Sequence, residues 1–271
     1  MNRNSSADAL VLCVKPGAGE NNRLALLLSP QKGIFTAVVY GARKGKLRSV
    51  VSPYHSGTVW LYSDKVKQSV KITDFAPIRY RQDIRNSLYK TYAASLCSEL
   101  ILKTQGSVDA CAVWHLANGF LDGLNICSEK EAQKGTLRFL WRYIGLMGLQ
   151  SDCTQCTRCA SENPAYYSAS ENGFLCEDCA AQYDSALTNR YNGGSDGYNT
   201  AGSAYDQAGL FSIGAQGLAY LQALCEQSPK QVRSLVLEDE SMRRLHDFLY
   251  YLIENCAGTK LKTLATGKGI L

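Results

Sequence analysis

Four cysteines read Cys156-Thr-Arg-Cys159 and Cys176-Glu-Asp-Cys179, two Cys-x-x-Cys hooks with sixteen residues between them. That spacing lets four thiolates converge on one tetrahedral ion, and a closed Cys₄ shell leaves no position for a reactive water, so the expected role is a structural zinc site. Cys153-x-x-Cys156 is also a hook, which leaves Cys153 either as a spare thiol or as a replacement ligand. Iron in a rubredoxin-like site competes with zinc. Such knuckles favour Gly after the second cysteine, whereas Ala160 and Ala180 stand here.

A second constellation is cationic. Arg43, Lys44, Lys46 and Arg48 fall within six residues on the Gly-containing stretch 41–49. Such a loop can track a phosphate backbone while neighbouring rings stack on bases, and Tyr40, Tyr54, Trp60 and Tyr62 are the aromatics at hand. The competing readings are a solvated turn for the loop and barrel core for Trp60. Residues 1–82 carry a net +9 and residues 83–271 a net −4, so the basic surface belongs to the N-terminal third and suits a polyanion. Catalytic patterns are missing from the sequence. His55, His115 and His246 lie far apart, and there is no His-Glu-x-x-His, Gly-x-Ser-x-Gly or Walker loop. The expectation is a protein that is not an enzyme.

The elements that must position these groups follow from pattern. Segments 9–14, 23–29, 33–40, 57–62 and 69–75 are short, rich in β-formers and separated by turn signals such as Pro16-Gly17 and Pro30-Gln31-Lys32-Gly33. Five short strands in so little chain predict a small barrel, oligonucleotide-binding (OB) or SH3-like. After Pro77 the period becomes helical, with Ile84, Leu88, Tyr92, Leu96 and Leu100 as one stripe. Asp109 stands as an N-cap, and Ser128-Glu-Lys-Glu131 as a capping box opening a third helix with Leu137, Leu140, Trp141 and Ile144. The predicted organisation is a barrel at 1–80, helices at 81–150, a Cys₄ module at 151–182, a flexible Gly/Ser/Asn-rich insertion at 183–211 and further helices at 212–271. Within the last part, one helix starts near Gly214 and another near Glu240, with Gly258 as a stop.

The chain has 271 residues, 45% hydrophobic and 20% charged, enough for two or three cores. No apolar run approaches a membrane span, and residues 9–14 are too short for a signal-peptide core, so a cytoplasmic protein is expected. Eleven cysteines in a chain of this length read as buried thiols plus metal ligands rather than a disulfide framework.

Taken in order, these pieces resemble the RecO family of bacterial recombination mediators. Gly19-Glu-Asn-Asn-Arg23-Leu-Ala-Leu-Leu-Leu-Ser-Pro30 is similar to its early turn and second strand, and 40–46 to its basic loop. Cys156-x-x-Cys159, Ala165-Tyr-Tyr-Ser168 and Gly173-Phe-Leu-Cys176-x-x-Cys179 resemble its zinc segment, and Gly258-Thr-Lys-Leu-Lys-Thr263 its closing motif. Ala160 departs from that pattern, and the segment around 185–208 looks inserted.

The resemblance implies an α+β protein: a five-stranded OB-type barrel followed by a helical domain bearing an inserted Cys₄ zinc module. It implies binding of single- and double-stranded DNA, with Arg23, Arg43, Lys44, Lys46 and Arg48 as the DNA-binding residues. It also implies strand annealing and help in loading RecA onto DNA coated by single-strand-binding protein, with RecR and single-strand-binding protein as partners. The setting would be bacterial, cytoplasmic and nucleoid-associated. Arg138 and Arg142, one turn apart beside Trp141, could receive the acidic, apolar-ended tail of single-strand-binding protein, or could simply be a solvated cationic face. The alternative function is an RNA-binding or translation-associated barrel with a zinc ribbon.

Overall fold

The computed structural model describes residues 3–18, 21–40, 45–64, 66, 68–104, 109–182 and 209–271. They fall into two compact units, Met1–Phe139 with Ala257–Leu271, and Leu140–Cys256. Gly41, Ala42, Arg43 and Lys44, and residues 183–208 of the expected insertion, lie outside the described residues.

The first unit opens with β1 (Asn4–Pro16), β2 (Arg23–Ser29), β3 (Gly33–Val39), a short helix α1 (Leu47–Val50), β4 (Ser56–Asp64) and β5 (Ser69–Arg79). The strands close into a barrel in the order β1-β2-β3-β5-β4, with β3 and β5 parallel. This is the OB arrangement rather than the SH3-like alternative. Strand β1 makes the closure possible. Its first half pairs with β4 (Asn4↔Tyr62 to Leu10↔Ser56) and its second half with β2 (Leu10↔Leu28 to Pro16↔Arg23), with a register irregularity between Val11 and Cys13 that bends it. It starts five residues earlier than the apolar pattern predicts, because its first residues are polar and mostly exposed.

Ala9, Val11, Ala25, Leu27, Ala37, Val39, Val59, Leu61, Ile72 and Phe75 fill the interior. Leu10, Leu12 and Leu28 are buried as well, on the outer face. Both faces of β1 are therefore covered at its centre, which explains why 9–12 reads as a continuous apolar run rather than an alternating one.

A 3₁₀ turn (Gln82–Asn86) leads to α2 (Leu88–Lys103), α3 (Ala110–Ile126) and α4 (Glu129–Leu146), and α3 lies against β2. Ser87 caps α2 by accepting from Lys90 N, and Asp109 caps α3 by accepting from Ala112 N. The Ser128/Glu131 pair caps α4 reciprocally, Glu131 Oε2 accepting from Ser128 N and Ser128 Oγ from Glu131 N. The stripe predicted for α2 needs one correction. Leu88 is 61% exposed, because the Ser87 cap interrupts the helix after Ile84 and the buried face starts at Tyr89.

Two polar anchors hold this unit together. Arg81, almost fully buried, donates from Nε to Asp122 Oδ1, from Nη2 to Asn118 Oδ1 and from Nη1 to the carbonyl of Tyr54. Arg79 joins the same Asp122 carboxylate. At the other end, Glu99 accepts from the N–H groups of Lys262 (2.9 Å) and Thr263 (2.8 Å), closing the start of α9 (Lys262–Thr266) while Leu261 is completely buried. Burial alone would raise the Glu99 carboxyl, but the bonds from Thr263 and Lys262, with Lys103 nearby, outweigh it and hold the group below its ordinary value. The closing motif at 258–263 is thus a docking segment for α2.

The second unit contains a small antiparallel sheet, β6 (Tyr166–Ser168), β7 (Gly173–Leu175) and β8 (Leu210–Ser212), in the order β7-β6-β8. Helical residues 177–182 (α5) follow β7. Helices α6 (Gly214–Glu226), α7 (Pro229–Ser234) and α8 (Asp239–Ala257) complete it. Leu210 and Phe211, which the sequence pattern assigns to the insertion, are buried strand residues paired with Ser168 and Tyr167. Three residues are too few to show a period, and only pairing reveals them. Tyr167, Phe174, Phe211 and Phe248 form an aromatic cluster behind the sheet, with Tyr167 and Phe248 centroids 4.8 Å apart. Gly258, with φ +62, ends α8 as predicted.

Replacing Arg81 by Met strands the Asn118 amide and the Tyr54 carbonyl and leaves Asp122 to Arg79 alone, and should lower stability by about 3 kcal/mol in urea titrations. Glu99→Gln should cost about 1 kcal/mol at neutral pH, the scale of a helix-cap loss. Because the folded carboxyl titrates below its unfolded value, its contribution is present above the unfolded pKa and is lost as pH falls through the folded one. The gap between wild type and Glu99→Gln in pH-dependent denaturation should therefore close in the acid range.

Candidate metal centre and nucleic-acid interface

The second unit folds the two hooks onto each other. Sγ atoms of Cys156, Cys159, Cys176 and Cys179 all lie within 4.8 Å of one another, and those of Cys159 and Cys176 are 3.6 Å apart. A tetrahedron with Zn–S bonds of ~2.3 Å has edges of roughly 3.8 Å, so this donor set fits one ion and could hold it. Local backbone makes the fit. The first knuckle closes through Ala160 N to the Cys156 carbonyl (2.9 Å) and Cys156 N to the Ser161 carbonyl (2.8 Å). It is stitched to β7 by Thr157 N donating to the Phe174 carbonyl at 2.8 Å. The second knuckle is the turn from β7 into α5, where Ala180 N reaches the Cys176 carbonyl at 3.0 Å.

Two positions carry the steric cost of this geometry. Ala160 sits at φ +58, in the left-handed region that a Cβ disfavours, which is why a glycine belongs after the second cysteine of such a knuckle. Gly173 abuts the Thr157 side chain so closely that any Cβ would collide with it.

Burial raises the Cys156 thiol, but N–H groups of Cys159, Cys176 and Arg158 directed at its sulfur bring it down to about 6. Cys179, through its thiol contact with Cys176, is pushed up to about 12. The protons are thus held unequally, and an ion must displace the tighter ones. Cys153 stands apart from this set. It is buried, and its neighbour is Cys225 rather than the other hooks.

The basic residues gather differently. Register alone places Arg23 beside Val39, Val38 beside Lys71 and Lys71 beside Tyr62, so these residues share one end of the barrel with Tyr40. Lys71 Nζ lies 5.0 Å from the Tyr40 ring centroid, 5.7 Å from that of Tyr62 and 3.5 Å from Asp64 Oδ2. Arg3 Nη1 reaches the Tyr62 hydroxyl at 3.5 Å. Lys46 and Arg48, at the start of and within α1, are exposed, and Lys46 comes no nearer than 3.9 Å to Asp74.

Sequence reasoning missed Lys71 and Arg3, because only strand pairing brings them to the aromatics. Trp60 is 41% exposed on the outside of β4, lining a shallow groove of about 660 Å³ with Asn4, Ser5, Ser6, Thr73 and Asp74, so it is not barrel core. Tyr54 is withdrawn. Its hydroxyl bonds Ser95 at 2.9 Å, and burial raises its pKa.

The expected Arg138–Trp141–Arg142 surface is corrected in one member. Trp141 is 1% exposed and its indole N–H donates to Cys225 Sγ at 3.4 Å. The helical period that sets the arginines one turn apart turns the tryptophan into the core; Arg138 and Arg142 are half-buried on α4. Among the described residues the three histidines stay scattered, His55 and His246 buried and His115 exposed.

The family model "Recombination protein O C terminal" matches residues 85–193, the stretch that runs from α2 through both hooks. The chain is 21% identical over 252 residues to a DNA repair protein RecO from Exiguobacterium sp. (strain ATCC BAA-1283 / AT1b), covering 90% of this chain and 88% of the relative. Over these stretches the chain is similar to the RecO family. Identity to the RecO of Bacillus pumilus (strain SAFR-032) is 25% over 170 residues, 59% of this chain. The match spans 63% of that relative's length. The RecO of Acetivibrio thermocellus is 29% identical over 182 residues, covering 62% of this chain and 68% of the relative. The five-stranded barrel, helices and inserted Cys₄ cluster match the RecO layout. No helix among the described residues is long and apolar enough to cross a membrane.

Ala160→Gly should stabilise the knuckle by about 1 kcal/mol by removing the left-handed strain, read as tighter metal retention against a chelator. Gly173→Ala should weaken retention in the same titration. Lowering the pH from neutral should release the ion as the thiols regain their protons, measured with a chromogenic chelator.

Proposed function

We propose that this chain is a DNA repair and recombination mediator: it binds single- and double-stranded DNA, anneals complementary strands, and helps RecA load onto DNA coated by single-strand-binding protein, together with RecR. Similarity to the RecO family supports this reading, as does the end of the barrel where Arg23, Lys71 and Arg3 lie with Tyr40 and Tyr62. That cationic, aromatic end is the observation that carries it. Cations there release the counterions of two phosphate chains and screen their mutual repulsion, while rings accept unstacked bases without reading sequence. Lys46 and Arg48, exposed on the β3–β4 connection, add further cations. The Cys₄ cluster holds one structural zinc, its four thiolates neutralising the ion and tying knuckle to sheet, with no chemistry on DNA. The role is non-enzymatic, and the setting is the bacterial cytoplasm at the nucleoid.

The deciding experiment is annealing of complementary oligonucleotides coated with single-strand-binding protein, with and without RecR. Faster annealing and RecA loading are expected; no annealing and no binding of that partner would refute the reading. RNA oligonucleotides in parallel would reveal a translation-associated protein if they anneal better than DNA. Replacing Arg23, Arg43, Lys44, Lys46 and Arg48 by Ala should flatten the dependence of log affinity on log salt, by roughly 0.7 for each phosphate left unneutralised on a single strand. An unchanged slope would remove this surface from the DNA path.

A further inference from the structure

Two cysteines outside the metal cluster meet in the second unit. Cys225, near the end of α6, is exposed, and two N–H donors fix its sulfur: Trp141 Nε1 at 3.4 Å and Gln150 Nε2 at 3.5 Å. One turn earlier on the same face of α6, Gln222 donates from Nε2 to the backbone carbonyl of Cys153 at 2.9 Å. That bond sets Cys153 beside α6, one turn from Cys225, and the two thiols are near enough to influence each other's ionisation. Cys153 is 3% exposed. One thiol is open to a small oxidant, and a second waits beside it, shielded. This is the arrangement of a reactive and a resolving cysteine.

We propose that Cys225 and Cys153 form a redox modification site, in which a peroxide oxidises the exposed Cys225 and the buried Cys153 resolves the product as an intrachain disulfide. In the first step Cys225–SH takes one oxygen from hydrogen peroxide, giving Cys225–SOH and water. In the second, Cys153–SH attacks the sulfenic sulfur; the S–O bond breaks as the S–S bond forms, and the Cys153 proton leaves with the hydroxyl as water. A thiol or thioredoxin-type reductant reverses the step. The product ties α6 covalently to the residue three positions ahead of Cys156, and the metal ligands take no part.

The test treats the zinc-loaded full chain with hydrogen peroxide, alkylates the free thiols, and maps peptides by mass spectrometry while zinc release is followed with a chromogenic chelator. The expected product is a Cys153–Cys225 crosslink, reversed by dithiothreitol, with zinc retained. Cys225→Ser, at an exposed position, should leave Cys153 alkylatable after peroxide. Cys153→Ala should arrest Cys225 as a sulfenic acid trapped by dimedone. Oxidation that begins at Cys156, Cys159, Cys176 or Cys179 with zinc loss would overturn the proposal. So would over-oxidation of Cys225 with Cys153 still free, or a crosslink that persists in Cys225→Ser.

Discussion

A guanidinium buried where the barrel hands the chain to the helices fixes most of what matters in the first unit. Arg81 cannot keep its charge away from water without partners, and burial lowers its pKa even as Asp122 restores it. Its donors are satisfied from two sides, by the Tyr54 carbonyl ahead of β4 and by Asn118 and Asp122 on α3. The backbone accepts strain to bring them there: Arg81 and Tyr54 stand at φ +47 and +72, in the left-handed region. Barrel and α3 therefore meet in one orientation. The face of β1 and β2 bearing Leu10, Leu12 and Leu28 is buried, and the end bearing Arg23, Tyr40 and Lys71 reaches water.

The second unit solves a different problem. Three strands of three residues have too little apolar surface to order a module alone, and a metal ion held by the Cys₄ set would supply what the core lacks. The coupling is direct. Thr157 bonds β7 through its backbone and presses its side chain on Gly173, so the ligand loop and the strand are one piece. Ala160 carries the cost of that fit in its backbone. The aromatic cluster of Tyr167, Phe174, Phe211 and Phe248 then seats the sheet on α8.

Much of this was legible from residues alone wherever a signal is local. Strands β2 and β3 begin where the pattern places them, because Arg23 and Gly33 follow turn residues, and the caps at Asp109 and Ser128 work by side chains reaching only three residues along the chain. Local pattern fails where a side chain's role depends on what lies across from it. Trp60 and Trp141 are alike as letters; one lines an open groove and the other is core bonded to Cys225. Tyr54, counted among the stacking rings, is spent on Ser95.

The sequence by itself determined the presence of Cys-x-x-Cys hooks, the charge asymmetry and the order of elements, because Cys-x-x-Cys spacing, net charge and hydrophobic period are properties of neighbours along the chain. Only the tertiary structure decided that Cys153 answers to Cys225 and not to the hooks. Only strand register brought Lys71 between Tyr40 and Tyr62. The physical reason is one of range: a turn or a cap is settled within a few bonds. A shared ligand, a cation between two rings or a buried thiol pair needs contacts between distant residues, whose geometry exists only once the core has closed.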